Sequence, residues 1–125
     1  MNLLIAFSLV FIALISIQQA CAACGTCDIK NVVIQPKNPD SGVHAFDGEP
    51  VAGKNAEGCD TYTFSCTGTG ANIGLNNDQL TVGDANSRVK QTTKATFDCD
   101  PQNRWQYTSK GVATIVDNIG CLSVD

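Results

Sequence analysis

The stretch that decides the fold is Gly58-Cys59-Asp60-Thr61-Tyr62-Thr63-Phe64-Ser65-Cys66-Thr67-Gly68. Its threonines and serine alternate with Tyr62, Phe64 and Cys66, which gives one polar and one apolar face in residue types that favour β-strands. The pattern recurs at Lys94-Ala95-Thr96-Phe97-Asp98-Cys99, where the alanine, the phenylalanine and the cysteine share a face. Two strands therefore each carry Thr-Phe-x-Cys, and each can direct a sulfur atom into a common core.

Short β-like segments separated by turn residues continue through the chain. Residues 29–34 have the composition of a strand, residues 43–46 predict a short edge strand, and residues 111–116 predict a well-buried strand. Beyond residue 22 no segment resembles a helix of useful length. We therefore predict an all-β fold, a small disulfide-stapled antiparallel β sandwich of about seven strands that is loosely immunoglobulin-like.

The first 22 residues have the pattern of a secretory signal peptide. They contain no charged side chain, residues 3–17 are apolar except for two serines, and Ala20-Cys21-Ala22 forms an A-x-A cleavage site. The apolar run is shorter than the about 20 residues of a membrane span. We predict residues 1–22 as signal peptide and residues 23–125 as one extracellular domain with no membrane span. The alternatives are an uncleaved anchor and a Cys21-lipidated protein, although Gln18 and Gln19 fit a lipidation site poorly.

The cysteine count agrees with export. The chain has seven cysteines, and cleavage after Ala22 removes Cys21 and leaves an even set of six. An even set in a small domain is typical of disulfides formed in an oxidising compartment. A Cys24-Gly25-Thr26-Cys27 motif could also be a redox pair or half a zinc site, but no following helix is predicted, and structural disulfides are favoured. The six cysteines predicted to form disulfides are Cys24, Cys27, Cys59, Cys66, Cys99 and Cys121.

Charge and composition argue against several functions. The chain has 8 basic and 12 acidic residues, a net charge of −4 and no run of like charge, which is unlike a nucleic-acid or anionic-membrane surface. His44 is the single histidine and has no nucleophile or metal partner nearby in sequence. Asp78, Asp84, Asp98 and Asp100 lack the spacing of a calcium loop and are expected to be solvated turn carboxylates. We expect no catalytic residue, no metal and no cofactor, and hence no enzyme.

The irregular segment at residues 35–58 is the first candidate for a binding surface, because long loops in compact domains are often functional. It contains Pro36, Pro39 and Pro50 together with several turn glycines. The polar threonine and serine faces of the strands are the second candidate. These surfaces suggest a secreted recognition or structural module whose partner is an extracellular protein or glycan. The alternatives are a protease-inhibitor-like or effector protein and, less favoured, a small secreted enzyme.

Several of these motifs together resemble the nematode six-cysteine domain. They are the Cys-x-x-Cys beside the signal peptide, the Cys59-to-Cys66 segment, Ala-Thr-Phe-Asp-Cys, the aromatic Trp105-Gln106-Tyr107 and the final cysteine strand. The resemblance implies an extracellular domain of unknown function and brings no catalytic residues. In that family the first and third cysteines occur together, which implies a Cys24–Cys59 bridge.

The other two bridges are less determined. Cys24 and Cys27 lie too close in sequence to bridge each other easily. Residues 100–105 are similar to the sushi, or complement-control, module, in which a tryptophan stands between the last two cysteines. Its pairing order, first to third and second to fourth, implies Cys27–Cys99 and Cys66–Cys121. The alternative is Cys66–Cys99 with Cys27–Cys121, because Cys66 and Cys99 both end a Thr-Phe-x-Cys strand.

Overall fold

The computed structural model describes residues 24–124, and the predicted signal peptide lies outside them. In these residues ten strands form two five-stranded sheets, which confirms the all-β prediction, with more strands than the seven expected. Within residues 24–124 no helix is long and apolar enough to cross a membrane. Sheet 1 contains β1 (Val33–Ile34), β2 (Val43–His44), β5 (Asn72–Leu75), β6 (Leu80–Val82) and β10 (Asn118–Leu122); sheet 2 contains β3 (Val51–Lys54), β4 (Asp60–Thr69), β7 (Lys90–Cys99), β8 (Trp105–Ser109) and β9 (Val112–Ile115).

The centre of sheet 2 is the antiparallel pair of β4 and β7, each ten residues long. The strand order of this sheet is β3-β4-β7-β8-β9. In the β4–β7 register Tyr62 lies opposite Phe97, and Phe64 lies opposite Ala95. The aromatic residues of both strands therefore share one face. That face packs on sheet 1, as the period-2 pattern predicts, and the threonine and lysine rows lie on the other face.

Sheet 1 is built around β10, the last strand within residues 24–124. β10 pairs in parallel with β1, antiparallel with β2, and antiparallel with β5 on its other side, while β6 pairs with β5. All four residues of β5 are buried. Gly74 in this strand has no room for a side chain, because a Cβ atom there would lie 2.0 Å from the Asp78 carboxyl oxygen.

The hydrophobic core fills the space between the two sheets. Phe64 and Phe97 of sheet 2 have ring centroids 5.6 Å apart, and Tyr107 meets Phe97 edge-on at 6.2 Å. Fully burying a large apolar side chain stabilises a domain by roughly 1.5–3 kcal/mol. Buried side chains from both sheets therefore contribute to the stability of the domain. The largest fully buried side chains are Phe97, Ile73, Leu75, Ile119, Cys66 and Cys121.

Two local expectations are wrong. Residues 29–34 are a strand only at Val33–Ile34, because the Asp28 carboxyl accepts a hydrogen bond from the Lys30 N–H at 2.9 Å and starts a 3-10 helix at Ile29–Asn31. The strand predicted as well buried at residues 111–116 is β9, which is the edge of sheet 2. Val112 is 66% exposed there. The edge strand expected near residue 43 is present as β2.

Candidate recognition surfaces

One disulfide joins the two sheets through the core. Cys66 in β4 is bonded to Cys121 in β10, with their Cα atoms 5.5 Å apart. Both residues are 0% exposed. Because β4 belongs to sheet 2 and β10 to sheet 1, this bridge fixes the sheets to each other at the level of the aromatic core.

The other two disulfides attach the amino-terminal segment to sheet 2. Cys27 is bonded to Cys99 at the end of β7, and Cys24 is bonded to Cys59 just before β4, with Cα separations of 5.8 and 5.1 Å. Gly25 lies between them so close to the loop after β7 that a Cβ atom would be 2.0 Å from the Asp100 carbonyl oxygen. The segment therefore packs directly on this loop, and glycine is required for that approach.

The structure contains the three pairs that the two family resemblances imply. In the β4–β7 register Cys66 lies opposite Thr93, six residues along β7 from Cys99. That separation is roughly 20 Å along a strand, and bridged cysteines have Cα atoms less than about 7 Å apart. A Cys66–Cys99 bridge is therefore impossible in this fold. The two cysteines of the C-x-x-C motif are each bonded to a different partner, so they form neither a redox pair nor a zinc half-site here.

The loop after β7 is organised by the carboxylate of Asp100. One of its oxygens accepts hydrogen bonds from the N–H groups of Gln102 and Arg104 at 2.9 and 2.8 Å, and the other accepts from the Arg104 Nε at 2.9 Å. Burial by itself raises the pKa of Asp100. The hydrogen bonds from Arg104 and Gln102 and the positive charge of Arg104 outweigh it, so the pKa lies below its ordinary value of 3.8. The expectation that Asp100 is solvated is wrong, since it is 3% exposed.

The remaining polar groups do not converge on a reactive centre. The His44 ring Nε2 lies 3.3 Å from the Ser123 carbonyl oxygen. The Asp98 carboxylate accepts a hydrogen bond from Gln106 Nε2 at 3.2 Å. In the part of the chain that the structure describes, no three His, Cys, Asp or Glu residues are grouped so that they could hold a metal ion.

The segment at residues 35–58 forms a cleft of about 320 Å³ beside Phe46, which we call the proline cleft. Residues that follow β1 line one wall, and residues that lead into β3 line the other. The Phe46 ring meets Phe64 of the core edge-on, with centroids 5.1 Å apart, and forms the floor. The residues that define the cleft are Ile34, Pro36, Lys37, Phe46, Glu49, Pro50 and Phe64.

Both walls of the proline cleft are held by backbone hydrogen bonds. The Gln35 N–H donates to the Ile119 carbonyl of β10 at 2.8 Å, and the Asp47 N–H donates to the Ser65 carbonyl of β4 at 2.8 Å. One wall is thus attached to each sheet. Since the sheets are fixed to each other by the buried bridge, the cleft is preformed rather than a gap between two loose loops.

The strand that borders the cleft is an open sheet edge. β3 is the first strand of sheet 2, all four of its residues are exposed, and Pro50 of the cleft immediately precedes it. The Asn55 N–H donates to the Cys59 carbonyl at 2.9 Å, so this pair is a hydrogen-bonded position between β3 and β4. Hydrogen-bonded and non-hydrogen-bonded positions alternate along an antiparallel pair. The N–H and C=O groups of Ala52 and Lys54 therefore point away from β4. A backbone edge therefore adjoins an apolar floor.

The second candidate surface is the outer face of β4 and β7, which we call the threonine face. Its outward rows pair across the strands, with Thr63 opposite Thr96 and Thr67 opposite Thr92. The hydroxyl oxygens of these pairs lie 2.8 and 2.7 Å apart, as hydrogen-bonded threonine pairs do. The residues that define the face are Thr61, Thr63, Ser65, Thr67 and Thr69 of β4 and Lys90, Thr92, Lys94, Thr96 and Asp98 of β7.

The fold and the bridges define a small module of the disulfide-stapled β class. Residues 24–121 match the family model of the C6 domain, a six-cysteine domain, and the chain belongs to that family. The match runs from the first to the last bridged cysteine, so it covers the whole cysteine framework. No curated protein and no solved structure matches the chain.

The sequence indicates the position of the cleft but not its construction. The prolines mark residues 35–58 as irregular, whereas Val-Ala-Gly-Lys of β3 is too short and does not alternate, so it does not predict a strand. Phe46 was placed in an edge strand, and its contact with Phe64 follows from the long-range pairing of Asp47 with β4. An isolated aromatic residue between turn glycines and prolines was the one signal that could have indicated a floor.

Proposed function

We propose that this domain is an extracellular recognition module that binds a protein partner at the proline cleft. The partner is an extended segment that places an apolar side chain on Phe46. The observation that carries the proposal is the preformed apolar floor beside the open edge of β3. Clefts of a few hundred cubic ångströms with a few polar groups at the rim are the usual form of a ligand site.

The neighbouring edge supplies the second half of the interaction. An extended peptide can add to an exposed strand by main-chain hydrogen bonds, while alternate side chains enter pockets and give specificity. The outward backbone groups of Ala52 and Lys54 are the partners for such bonds, and the cleft beside Pro50 takes the side chain. The rim carries Lys37 and Glu49, which are of opposite charge and both exposed. A peptide with mixed charge therefore suits it better than a polyanion.

The proposal includes that the domain is not an enzyme. General acid–base catalysis uses groups whose pKa is moved toward the working pH. The pKa of Asp100 is moved downward, away from neutrality, and the His44 ring contacts a backbone carbonyl rather than a nucleophile. A screen for peptidase, glycosidase and esterase turnover tests this part, and any turnover by the purified secreted domain would overturn it.

The concave form of the site favours recognition over inhibition. A protease-inhibitor-like protein needs a protruding rigid loop that enters an active site. Residues 35–58 instead line a hollow whose floor is Phe46. The effector alternative has no comparable observation in its support.

The test is capture of extracellular proteins by the secreted domain and by two matched variants. Ile34→Asp places a charge in the cleft at a residue that is 49% exposed, so the fold tolerates it. Val112→Asp makes the same change on the exposed edge strand at the other side of sheet 2. We expect proteins that bind wild type and Val112→Asp but not Ile34→Asp, identified by quantitative mass spectrometry.

A displayed library of random peptides supplies a probe of known sequence. Peptides selected on the wild-type domain are expected to contain an apolar residue flanked by extended sequence, and to lose at least tenfold in affinity for Ile34→Asp. Equal binding by Ile34→Asp and wild type, in both assays, would show that the cleft is not the site.

A further inference from the structure

Three of the eight basic residues lie in or next to one strand, β7. Between Asp84 and Asp98 the sequence has three basic residues and no carboxylate, in a chain of net charge −4. Lys90 and Lys94 lie in the outward row of β7 and are exposed, and Arg88 directly precedes the strand. Because alternate residues of a strand face the same side, the two lysines of β7 lie on one face of the sheet.

These lysines are not neutralised by neighbours. Among residues 24–124 the ion pairs are Lys54–Asp60 and Arg104–Asp100. Two carboxylates border the face. Asp98 ends the β7 row, and Asp47 accepts a hydrogen bond from Thr67 on the β4 side. The positively charged area is therefore the β7 row itself, from Lys90 to Thr96.

Threonines alternate with the lysines in this row. Thr92 and Thr96 are exposed, and each shares one hydrogen bond with a threonine of β4. A hydroxyl has one donor and two acceptor sites, so each of these threonines keeps bonding capacity toward solvent. Their hydroxyl groups are also held in place by the cross-strand pairing.

We propose that the exposed row Lys90-Thr92-Lys94-Thr96 binds a linear anionic polysaccharide of the extracellular space. Sulfate or carboxylate groups of the chain contact the lysines, and sugar hydroxyls contact the threonines. The two lysines are four residues apart on one strand, about 13 Å. A small anion cannot reach both, whereas an extended polymer with repeated charges can. The site is separate from the proline cleft and does not depend on it.

Other polyanions fit the row less well. Single-stranded nucleic acid is bound with aromatic side chains that stack on bases, and the outward row of β7 has none. Binding in a lipid interface needs apolar side chains to enter it, and the row between Lys90 and Thr96 offers only threonine methyl groups. Charge complementarity together with a hydroxyl surface therefore favours a polysaccharide.

The test is salt elution from immobilised heparin, a sulfated polysaccharide, with neutral dextran as the uncharged matrix. We expect the wild-type domain to be retained by heparin and not by dextran. Lys94→Gln should weaken heparin binding about two- to fivefold, and Lys90→Gln/Lys94→Gln further, as expected for exposed ion pairs. Lys30→Gln removes the same charge from the 3-10 helix at Ile29–Asn31 and should elute like wild type.

Two further variants separate the row from net charge and from the cleft. Thr92→Val keeps the side-chain shape but loses the hydroxyl, and should weaken binding about two- to fivefold. Ile34→Asp should elute from heparin at the same salt concentration as Val112→Asp, which adds the same negative charge outside the cleft. Circular dichroism and thermal unfolding check that each variant is folded.

Three results would overturn the proposal. One is the absence of retention on heparin. Another is an equal shift for Lys30→Gln and Lys94→Gln, which would show an effect of net charge alone. The third is equally tight binding of duplex DNA or of phosphatidylserine vesicles with the same dependence on Lys94, which would show a site without preference for a polysaccharide.

Discussion

The bridges Cys66–Cys121 and Cys24–Cys59 are the same covalent bond in two very different surroundings. The first closes a loop of 55 residues and the second a loop of 35. In the chain-entropy model each stabilises the domain by roughly 4 kcal/mol, with little difference between them. However, both cysteines of the first bridge are fully buried between the sheets. In the second, Cys59 is buried at 8% exposure but Cys24 is exposed to solvent.

Loop length therefore does not rank the contributions of these bridges to stability, whereas packing around the sulfur atoms does. A buried bridge is also part of the core, so its removal leaves a cavity in addition to a looser unfolded chain. A surface bridge mainly holds one segment against its neighbour. The stability of the domain is therefore expected to depend unequally on three bonds that the sequence presents as equivalent.

The largest effect is expected from Cys66→Ala/Cys121→Ala. Loss of the loop constraint and of buried sulfur volume together should lower the free energy of unfolding by about 5–6 kcal/mol. This is comparable to the whole stability of many domains, so little folded protein should accumulate at 37 °C. Secretion yield and urea unfolding measure the effect. If this variant is no less stable than Cys24→Ala/Cys59→Ala, packing does not rank the bridges.

Phe97→Ala tests the same region without touching a disulfide. Phe97 is fully buried and contacts both Phe64 and Tyr107, so the substitution should cost about 3–5 kcal/mol. Val112→Ala on the exposed edge of sheet 2 is the control and should change stability by about 0.5 kcal/mol or less. Equal urea midpoints for the two variants would contradict the assignment of the core.

Cys24→Ala/Cys59→Ala should cost about 4 kcal/mol and leave the sheets intact. Either single substitution should be worse than the double one, because it leaves a thiol that can exchange with the remaining bridges. Peptide mapping without reduction provides the measurement. It should find Cys27–Cys99 and Cys66–Cys121 intact in the double variant and scrambled pairs in the single ones. Native pairs in the Cys24→Ala variant would count against thiol exchange.

The smallest effect is expected from Asp100→Asn in the loop that receives the amino-terminal segment. The pKa of Asp100 is lower in the folded protein than its ordinary value of 3.8 in the unfolded chain. Its carboxylate therefore stabilises the fold at pH values above 3.8, and this stabilisation is lost as the pH falls through the pKa of the folded state. The variant should be less stable than wild type near neutral pH, and the difference should shrink below about pH 4. A difference in urea midpoint that is unchanged in acid would contradict this.

The alternating strands were predictable because their pattern is local. β4 and β7 each have the alternating pattern of a half-buried strand, and this pattern predicts which residues face the core. The pairing of Cys66 was not predictable in this way. Which end of β7 lies beside Cys66 depends on strand direction and register, and both are set by contacts between segments about 30 residues apart.

The same distinction between local patterns and contacts of distant segments applies to the candidate sites. The prolines of residues 35–58 indicate an irregular surface, but the floor under Phe46 exists because Asp47 pairs with β4. The period-2 pattern of β7 is enough to predict from the sequence that Lys90 and Lys94 lie in one row. That its lysines form no ion pair within residues 24–124 could be seen only in the structure, where Asp47 bonds to Thr67 and Asp98 to Gln106.

The position of β10 at the centre of sheet 1 has a consequence for biosynthesis. A chain is made from its amino terminus, and β10 is the last strand to be completed. Until it arrives, β1, β2 and β5 have no shared neighbour, and Cys66 has no native partner. Of the first four bridged cysteines to emerge, only Cys24 and Cys59 belong together. Sheet 1 therefore cannot be completed before β10 has been synthesised, whereas no strand of sheet 2 pairs with β10. Until Cys121 is available, Cys66 keeps a free thiol or a non-native partner.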